Sequence, residues 1–340
     1  MIDLRSDTFT LPSKEMLETI LTAELGDDVW EEDPTVKELE ALAAKKLGKE
    51  AGLLVSSGTQ GNLVANMTHL NRGDGVVLEK ESHIYLYEVG GLSQLIGAFP
   101  FLIEGNNGLM EPKDVEAIFT RGYNVHWVDP KLLCLENTHN RGGGKIIPKE
   151  NIDQLAKIAH ENNGLVHMDG ARVFNAAVAT GMSASKIVEN VESVQICLSK
   201  GLGCPVGSII VGSEEFIHKA RRQRKLVGGG LRQAGIIAAP GIYALNNMID
   251  RLAEDHKHAR MLEKALTEIE ELKVKPVDTN IAVVDTSASK WSAAEARDGL
   301  EKHGIKVTYM GDQFFRMVTY FGITTEDIEQ VVSVIPEVFK

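Results

Sequence analysis

Short apolar runs alternate with amphipathic stretches through roughly the first two-thirds of the chain. Runs bounded by turn residues read as buried strands, and three-to-four spacing reads as helices with one covered face. VKELEALAAKKLG (Val36–Gly48) is a helix with a glycine stop. AGLLVSSGTQGNLVANMTHL is a strand, a turn and a helix. GVVLEK and LLCLENT read as strands, and NIDQLAKIAHENNG as a helix with asparagine at its start and glycine at its end. GLVHMDGA, VQICLSKG and GSIIVG are further strands, and EEFIHKARRQRKL opens a long helical region that runs on to Ile269. The tail changes character. NIAVVDT, IKVTYM and FFRMVTY are short strands among the helices SAAEARDGLEKHG and TTEDIEQVVSVIPEVF. The pattern predicts an α/β chain whose mainly parallel sheet is covered on both faces, followed by a small α+β domain. The expected division is 1–250, with an N-terminal segment 1–14, and 251–340. In such a fold ligands sit outside the carboxyl ends of the strands, so the residues there matter most.

A chain of 340 residues suits one large and one small domain. Its formal charge of −12 argues against general binding to nucleic acid or an anionic membrane. MIDLRSDTFT lacks the basic and apolar regions of a secretory signal, and no apolar run approaches a membrane span. Cys134, Cys197 and Cys204 form no CxxC pair, which fits reduced thiols in a cytoplasm. Neither HExxH nor a Cys/His cluster occurs, so no metal site is expected.

Three weak signals lie at strand ends. Ser57-Gly58-Thr59 opens a helix after a strand, where free amides suit a phosphate; the plainer account is a serine cap. Asp169 ends GLVHMDGA, where it is either a cap or a carboxylate for a protonated ring nitrogen. Lys200 follows VQICLS at the mouth of another strand. Lysine is costly to bury, and its common fate is a solvated loop, but in a confined site its amine becomes a Schiff-base nucleophile. A phosphate cup, an acid for a pyridine nitrogen and a nucleophilic lysine are together what pyridoxal 5'-phosphate (PLP) requires.

From there the chain resembles the low-specificity L-threonine aldolases among the aspartate-aminotransferase-like PLP enzymes of fold type I. The matching stretches are IDLRSDT, GDDVWEEDPTVKELE, SSGTQGN, ESHIYLYEVGG, LENTHNRGGGKIIP, HMDGARVFNAAVA, CLSKGLGCPVGS and RKLVGGGLRQAG, with FFRMVTY looser in the tail. The resemblance implies a large PLP-binding domain with a seven-stranded, mainly parallel sheet between helices, plus the small domain. It implies a carbon–carbon lyase that cleaves L-threonine, L-allo-threonine and other β-hydroxy-α-amino acids to glycine and an aldehyde, by way of an external aldimine and a quinonoid. Lys200 would hold PLP, with Ser199 supporting the phosphate side and Gly201 leaving room. Asp169 would pair with the ring nitrogen, and Ser57, Gly58 and Thr59 would bind the phosphate. His83 would lie on the ring face, and His83 or His126 would take the β-hydroxyl proton. Ser6, Arg172 and Arg316 would grip the substrate carboxylate. Lys225 and Arg232 resemble residues that reach the substrate and cofactor, in a homotetramer (a dimer of dimers) with shared active sites. HKARRQRK otherwise reads as a solvated basic face carrying Arg221, Arg222 and Arg224.

Some positions depart from the family pattern. Tyr320 stands at a histidine position, Cys204 where alanine is common, and Phe9 and Leu11 are bulky; any that line the pocket would shift preference toward larger β-substituents. The alternatives are another fold type I PLP enzyme (β-eliminating lyase, racemase or aminotransferase) and a non-catalytic binding protein that keeps the fold.

Overall fold

The strands of the central sheet are short, largely buried apolar runs that stop where glycine or polar residues begin, as sheets covered on both faces demand. The computed structural model describes residues 1–340. In chain order its strands are β1 (Ile2–Asp3), β2 (Ala51–Val55), β3 (Gly75–Glu79), β4 (Phe99–Ile103), β5 (Pro130–Glu136), β6 (Leu165–Asp169), β7 (Ser193–Cys197) and β8 (Ser208–Gly212). They continue as β9 (Lys273–Val274), β10 (Ile281–Asp285), β11 (Ile305–Lys306), β12 (Thr308–Tyr309) and β13 (Phe314–Val318). Seven of them form one sheet in the order β2-β8-β7-β6-β5-β3-β4. Only β8 runs against its neighbours, β2 and β7; the remaining pairs are parallel. The mainly parallel, seven-stranded α/β expectation is met.

Local chemistry explains most element ends. Asp33 caps the helix Pro34–Leu47, accepting from the amide of Val36, and Gly48 closes it at φ 63°. Two expectations need correction. The helix expected to start on asparagine is Lys149–Glu161, which begins after Pro148, so Asn151 lies inside it. Its left-handed exit is taken by Asn163 at φ 58°, while Gly164 is small because a Cβ there would lie 2.6 Å from the Phe119 ring. The pattern also leaves β4 unpredicted. FPFLI forms the outer edge of the sheet, where Pro100 has no ladder bond to spoil.

The larger core surrounds the seven-stranded sheet, and a second core packs on the four-stranded sheet β12-β13-β10-β9. The helix Leu252–Thr267 spans both, with Leu252 in the first and Leu262 and Leu266 in the second. The chain start also belongs to the smaller core: β1 pairs with β11, and Ile2 and Leu4 are buried there. The basic stretch is not a uniformly solvated face. Arg222 is exposed, but Arg224 is 1% exposed, pairs with Asp28 at 2.7 Å and donates to the Leu54 carbonyl at 2.7 Å. Arg221 donates to Glu40 at 3.1 Å. The buried acids draw both arginines inward. No helix is long and apolar enough to cross a membrane.

Candidate active site

The carboxyl ends of β3, β5, β6 and β7 turn toward one cavity of about 480 Å³ between the large and small cores. Ser6, His83, Asn140, Arg172, Lys200 and Arg316 line it, the last from β13. Lys200 lies three residues past the end of β7, so its backbone is anchored to scaffold while the half-buried side chain reaches the opening. Asp169, the last residue of β6, is 2% exposed. Its Oδ1 accepts from the amide of Ala171 at 3.1 Å and its Oδ2 from Asn62 Nδ2 at 2.9 Å.

His83 opens a short helix beyond β3, its amide donating to Glu136 at 2.6 Å. Its Nδ1 lies 2.8 Å from Glu88 Oε1. Burial opposes charge on this imidazole, but the Glu88 hydrogen bond and the negative charges of Asp169 and Glu88 outweigh it and raise the pKa. Glu88 is itself raised by burial and by the neighbouring Asp169. A ring nitrogen of His83 and one carboxylate oxygen each of Glu88 and Asp169 all lie within 4.8 Å of one another.

Arg172 is committed differently from expectation. Its fork closes on Asp7, with Nε to Oδ2 at 2.7 Å and Nη2 to Oδ1 at 2.8 Å, both groups buried. Only Nη1 remains, 3.5 Å from Asn140 Oδ1. The same oxygen accepts from Arg316 Nη1 at 3.0 Å, and Arg316 Nε is buried without any partner. Ser6 caps the following turn by accepting from the Thr8 amide.

Ser57 caps the helix Gly58–His69, taking the Gln60 amide at 3.1 Å and leaving the Gly58 and Thr59 amides free. Glycine is required at 58, since a Cβ there would stand 2.8 Å from Cys197 Sγ. Gly201 has a different reason for its size than room at the cavity: a Cβ would meet Leu252 at 3.0 Å.

Seven predicted residues do not line this cavity. Asp169 lies next to it, its carboxylate within 4.8 Å of a His83 ring nitrogen, and Ser57, Gly58 and Thr59 form the turn that packs against Cys197 of β7. The other three stand apart from it within the chain. His126 sits on an exposed loop between Val125 and Trp127. Arg232 is 60% exposed and pairs with Asp27, and Lys225 is exposed near the end of its helix. The departures from the family pattern also lie elsewhere. Cys204 is buried against the Pro240 carbonyl, Tyr320 donates to the Asp3 carbonyl, Phe9 lies under Arg5 and Leu11 is exposed. Sequence reasoning overlooked Asp7, Asn62, Glu88 and Asn140. Asp7 and Glu88 stand inside the quoted motifs IDLRSDT and ESHIYLYEVGG, where each acid had to be asked what it would pair with once buried.

Comparison with known proteins now bears on this geometry. A model of the family described as beta-eliminating lyase matches residues 3–289. The chain is 43% identical to "Probable low-specificity L-threonine aldolase 2" of Arabidopsis thaliana, over 99% of this chain and 97% of that one. It is 40% identical to the low specificity L-threonine aldolase of Escherichia coli (strain K12), over 98% of each. The chain belongs to the low-specificity L-threonine aldolase family. Family membership makes it a lyase of a PLP-dependent family. Its fold matches the threonine aldolase of Leishmania major with a TM-score of 0.87, at 17% identity over 100% of both chains. It also matches a structure of SPT with PLP, with a TM-score of 0.77 at 18% identity, covering 99% of this chain and 87% of that one. At those identities the two structures speak to the fold alone, which is PLP-dependent fold type I.

Proposed function

We propose that this chain is a PLP-dependent aldolase cleaving L-threonine, L-allo-threonine and other β-hydroxy-α-amino acids to glycine and an aldehyde such as acetaldehyde. The observation that carries the reading is one cavity that gathers an amine (Lys200), an imidazole (His83) and two guanidinium groups (Arg172, Arg316). The residues fit PLP. The free amides of Gly58 and Thr59 at a helix start suit its phosphate, with Ser57 and Thr59 beside them. Asp169, a buried carboxylate, suits its ring nitrogen, and the Lys200 amine would hold it covalently. PLP, when bound, supplies an electron sink for breaking a bond beside the substrate's amino nitrogen.

The chain's own residues do the rest. Arg316, with its unpartnered Nε, and Arg172 Nη1 bind the substrate carboxylate, while Ser6 offers a hydroxyl nearby. Holding the carboxylate and the amine together fixes which bond at Cα is presented for cleavage. Glu88 occupies His83 Nδ1, which leaves Nε2 to take the proton from the β-hydroxyl. His126, exposed on its loop, has no part in this chain's own cavity. We infer that it, Lys225 and Arg232 serve a neighbouring subunit's site in a homotetramer, a reading supported by the exposed Trp30, Tyr123, Val125 and Leu226. Three buried free cysteines suit a cytoplasmic location.

The test is product identification on each threonine diastereomer with PLP present. Equal amounts of glycine and acetaldehyde are expected; 2-oxobutanoate with ammonia would instead mark a β-eliminating enzyme. Lys200→Ala is expected to lose both turnover and the visible absorption of bound cofactor. Turnover at the wild-type rate would remove lysine from the chemistry.

A further inference from the structure

A continuous line of hydrogen bonds runs from the last residue of the helix Gly58–His69, past the start of β7, to the cavity. His69 Nε2 lies 2.7 Å from Ser193 Oγ, which lies 2.8 Å from His167 Nδ1. His167 Nε2 lies 3.0 Å from Asn62 Oδ1. Asn62 Nδ2 then spends both its hydrogens on carboxylates, Asp169 Oδ2 at 2.9 Å and Glu88 Oε1 at 2.8 Å, and Glu88 holds His83. All of the bridging side chains are buried: Asn62 is 1% exposed, and His167 and Ser193 are 0%.

The direction of every hydrogen follows from the acidic end. Ionised carboxylates only accept, so the amide nitrogen of Asn62 must face them and its oxygen must face His167. His167 Nε2 therefore carries a hydrogen. Burial lowers the pKa of His167 to about 4, so it is neutral and its Nδ1 accepts from the Ser193 hydroxyl. Ser193 in turn accepts from His69 Nε2, and His69, also lowered by burial, is neutral with its other nitrogen bare. One tautomer of each ring satisfies the whole line.

We propose that Asn62 is a positioning residue for both ends of the site: locked in one orientation by His69, Ser193 and His167, it ties Asp169 to Glu88 and so couples the charge opposite the cofactor ring to the His83 imidazole. The physical reason is repulsion. Asp169 and Glu88 are two buried carboxylates within 4.8 Å of each other. The paired N–H groups of Asn62 between them favour both charged forms, whereas a carbonyl turned that way would drive one to take up a proton. The proposal rests on the aldolase reading for its kinetic consequences, but the relay itself does not.

The experiment has two arms. In the first, ring-nitrogen NMR of the holoenzyme is expected to find His167 neutral and protonated at Nε2 between about pH 6 and pH 9. A charged ring, or the Nδ1 tautomer, overturns the proposal. In the second, Asn62→Ala is expected to lower kcat by about tenfold or more with KM changed less than about twofold. Its acid limb of kcat, and the pH titration of the bound cofactor's absorbance, are expected to move up by about one unit, because both carboxylates lose a donor. His167→Phe is expected to move both in the same direction by less, and it carries this arm if Asn62→Ala does not fold. Folded variants with an unmoved limb and unmoved titration overturn the coupling. If the wild type holds no PLP or releases no glycine, the aldolase reading fails, and the tautomer of His167 still decides the relay.

Discussion

His83 has a single nitrogen open to the cavity because Glu88 has claimed the other. Glu88→Gln keeps the shape and removes the charge that raises the imidazole's pKa. A base whose working form is neutral gains that form at lower pH when its own pKa falls. The acid limb of kcat/KM for Glu88→Gln is therefore expected to shift downward, while the plateau of kcat drops by about tenfold as ring orientation loosens. A limb that stays in place would separate Glu88 from the histidine's function. Asp7 offers a different experiment, on stability. Burial would raise its pKa, but the charge and hydrogen bonds of Arg172, with Lys200 behind them, lower it to about 2. A carboxyl lowered on folding stabilises the fold above its unfolded pKa, and that contribution vanishes as pH falls through the folded value. Denaturant midpoints are expected to drop between about pH 4 and pH 2, by the equivalent of about 2 kcal/mol for this group. Asp7→Asn is expected to abolish that segment of the pH dependence and to cost about 3–5 kcal/mol at neutral pH, since Arg172 would be left buried and unpaired.

At the scale of elements, the helix start at Gly58 is the most exacting feature of the proposed phosphate site. Its amides are free only because Ser57 satisfies Gln60 alone, and it can approach β7 only without a side chain. Gly58→Ala is expected to push the turn away from Cys197, weakening PLP binding by about tenfold or more and destabilising by about 1–3 kcal/mol. Adding Cys197→Ala removes the atom in the way, and equilibrium titration with PLP is expected to find most of the affinity restored; no recovery would mean the clash is not the cause. The turn itself was legible in the sequence, because SSGTQGN shows a cap, small residues and the onset of a helix. The glycine's partner was not, since Cys197 lies on a strand that the sequence does not pair with it. The same limit explains β4 and the basic helix. FPFLI carries a proline that masks an edge strand, and HKARRQRK looks solvated until Asp28 and Glu40 are seen to be buried beneath Arg224 and Arg221.

Across the whole molecule, one amide oxygen ties the two parts together at the cavity. Asn140, four residues past β5, offers Oδ1 to Arg316 from the small sheet and to Arg172 from the large one. The chain's first residues close the same gap from another side. Ile2 and Leu4 pack in the small core, and Asp7 then crosses to Arg172 and to Asn280. None of these contacts is local: Arg172 and Asp7 are 165 positions apart and Arg316 and Asn140 are 176 apart, which is why the family resemblance named the arginines while nothing in the sequence named their partners. Arg316 is the one with capacity to spare. It is largely buried, burial holds its pKa below the ordinary arginine value, and its Nε meets nothing, an arrangement that a bound carboxylate relieves. Arg316→Lys keeps a positive charge but loses the planar fork. The expected result is a KM for threonine raised by about 10–100-fold, with kcat changed much less. The absorption of bound PLP should stay as in the wild type, because Arg316 stands on the small sheet, away from Asp169 and the Gly58 turn. An altered cofactor spectrum with unaltered KM would move Arg316 from the substrate to the cofactor, and the small sheet's role at the site would have to be assigned afresh.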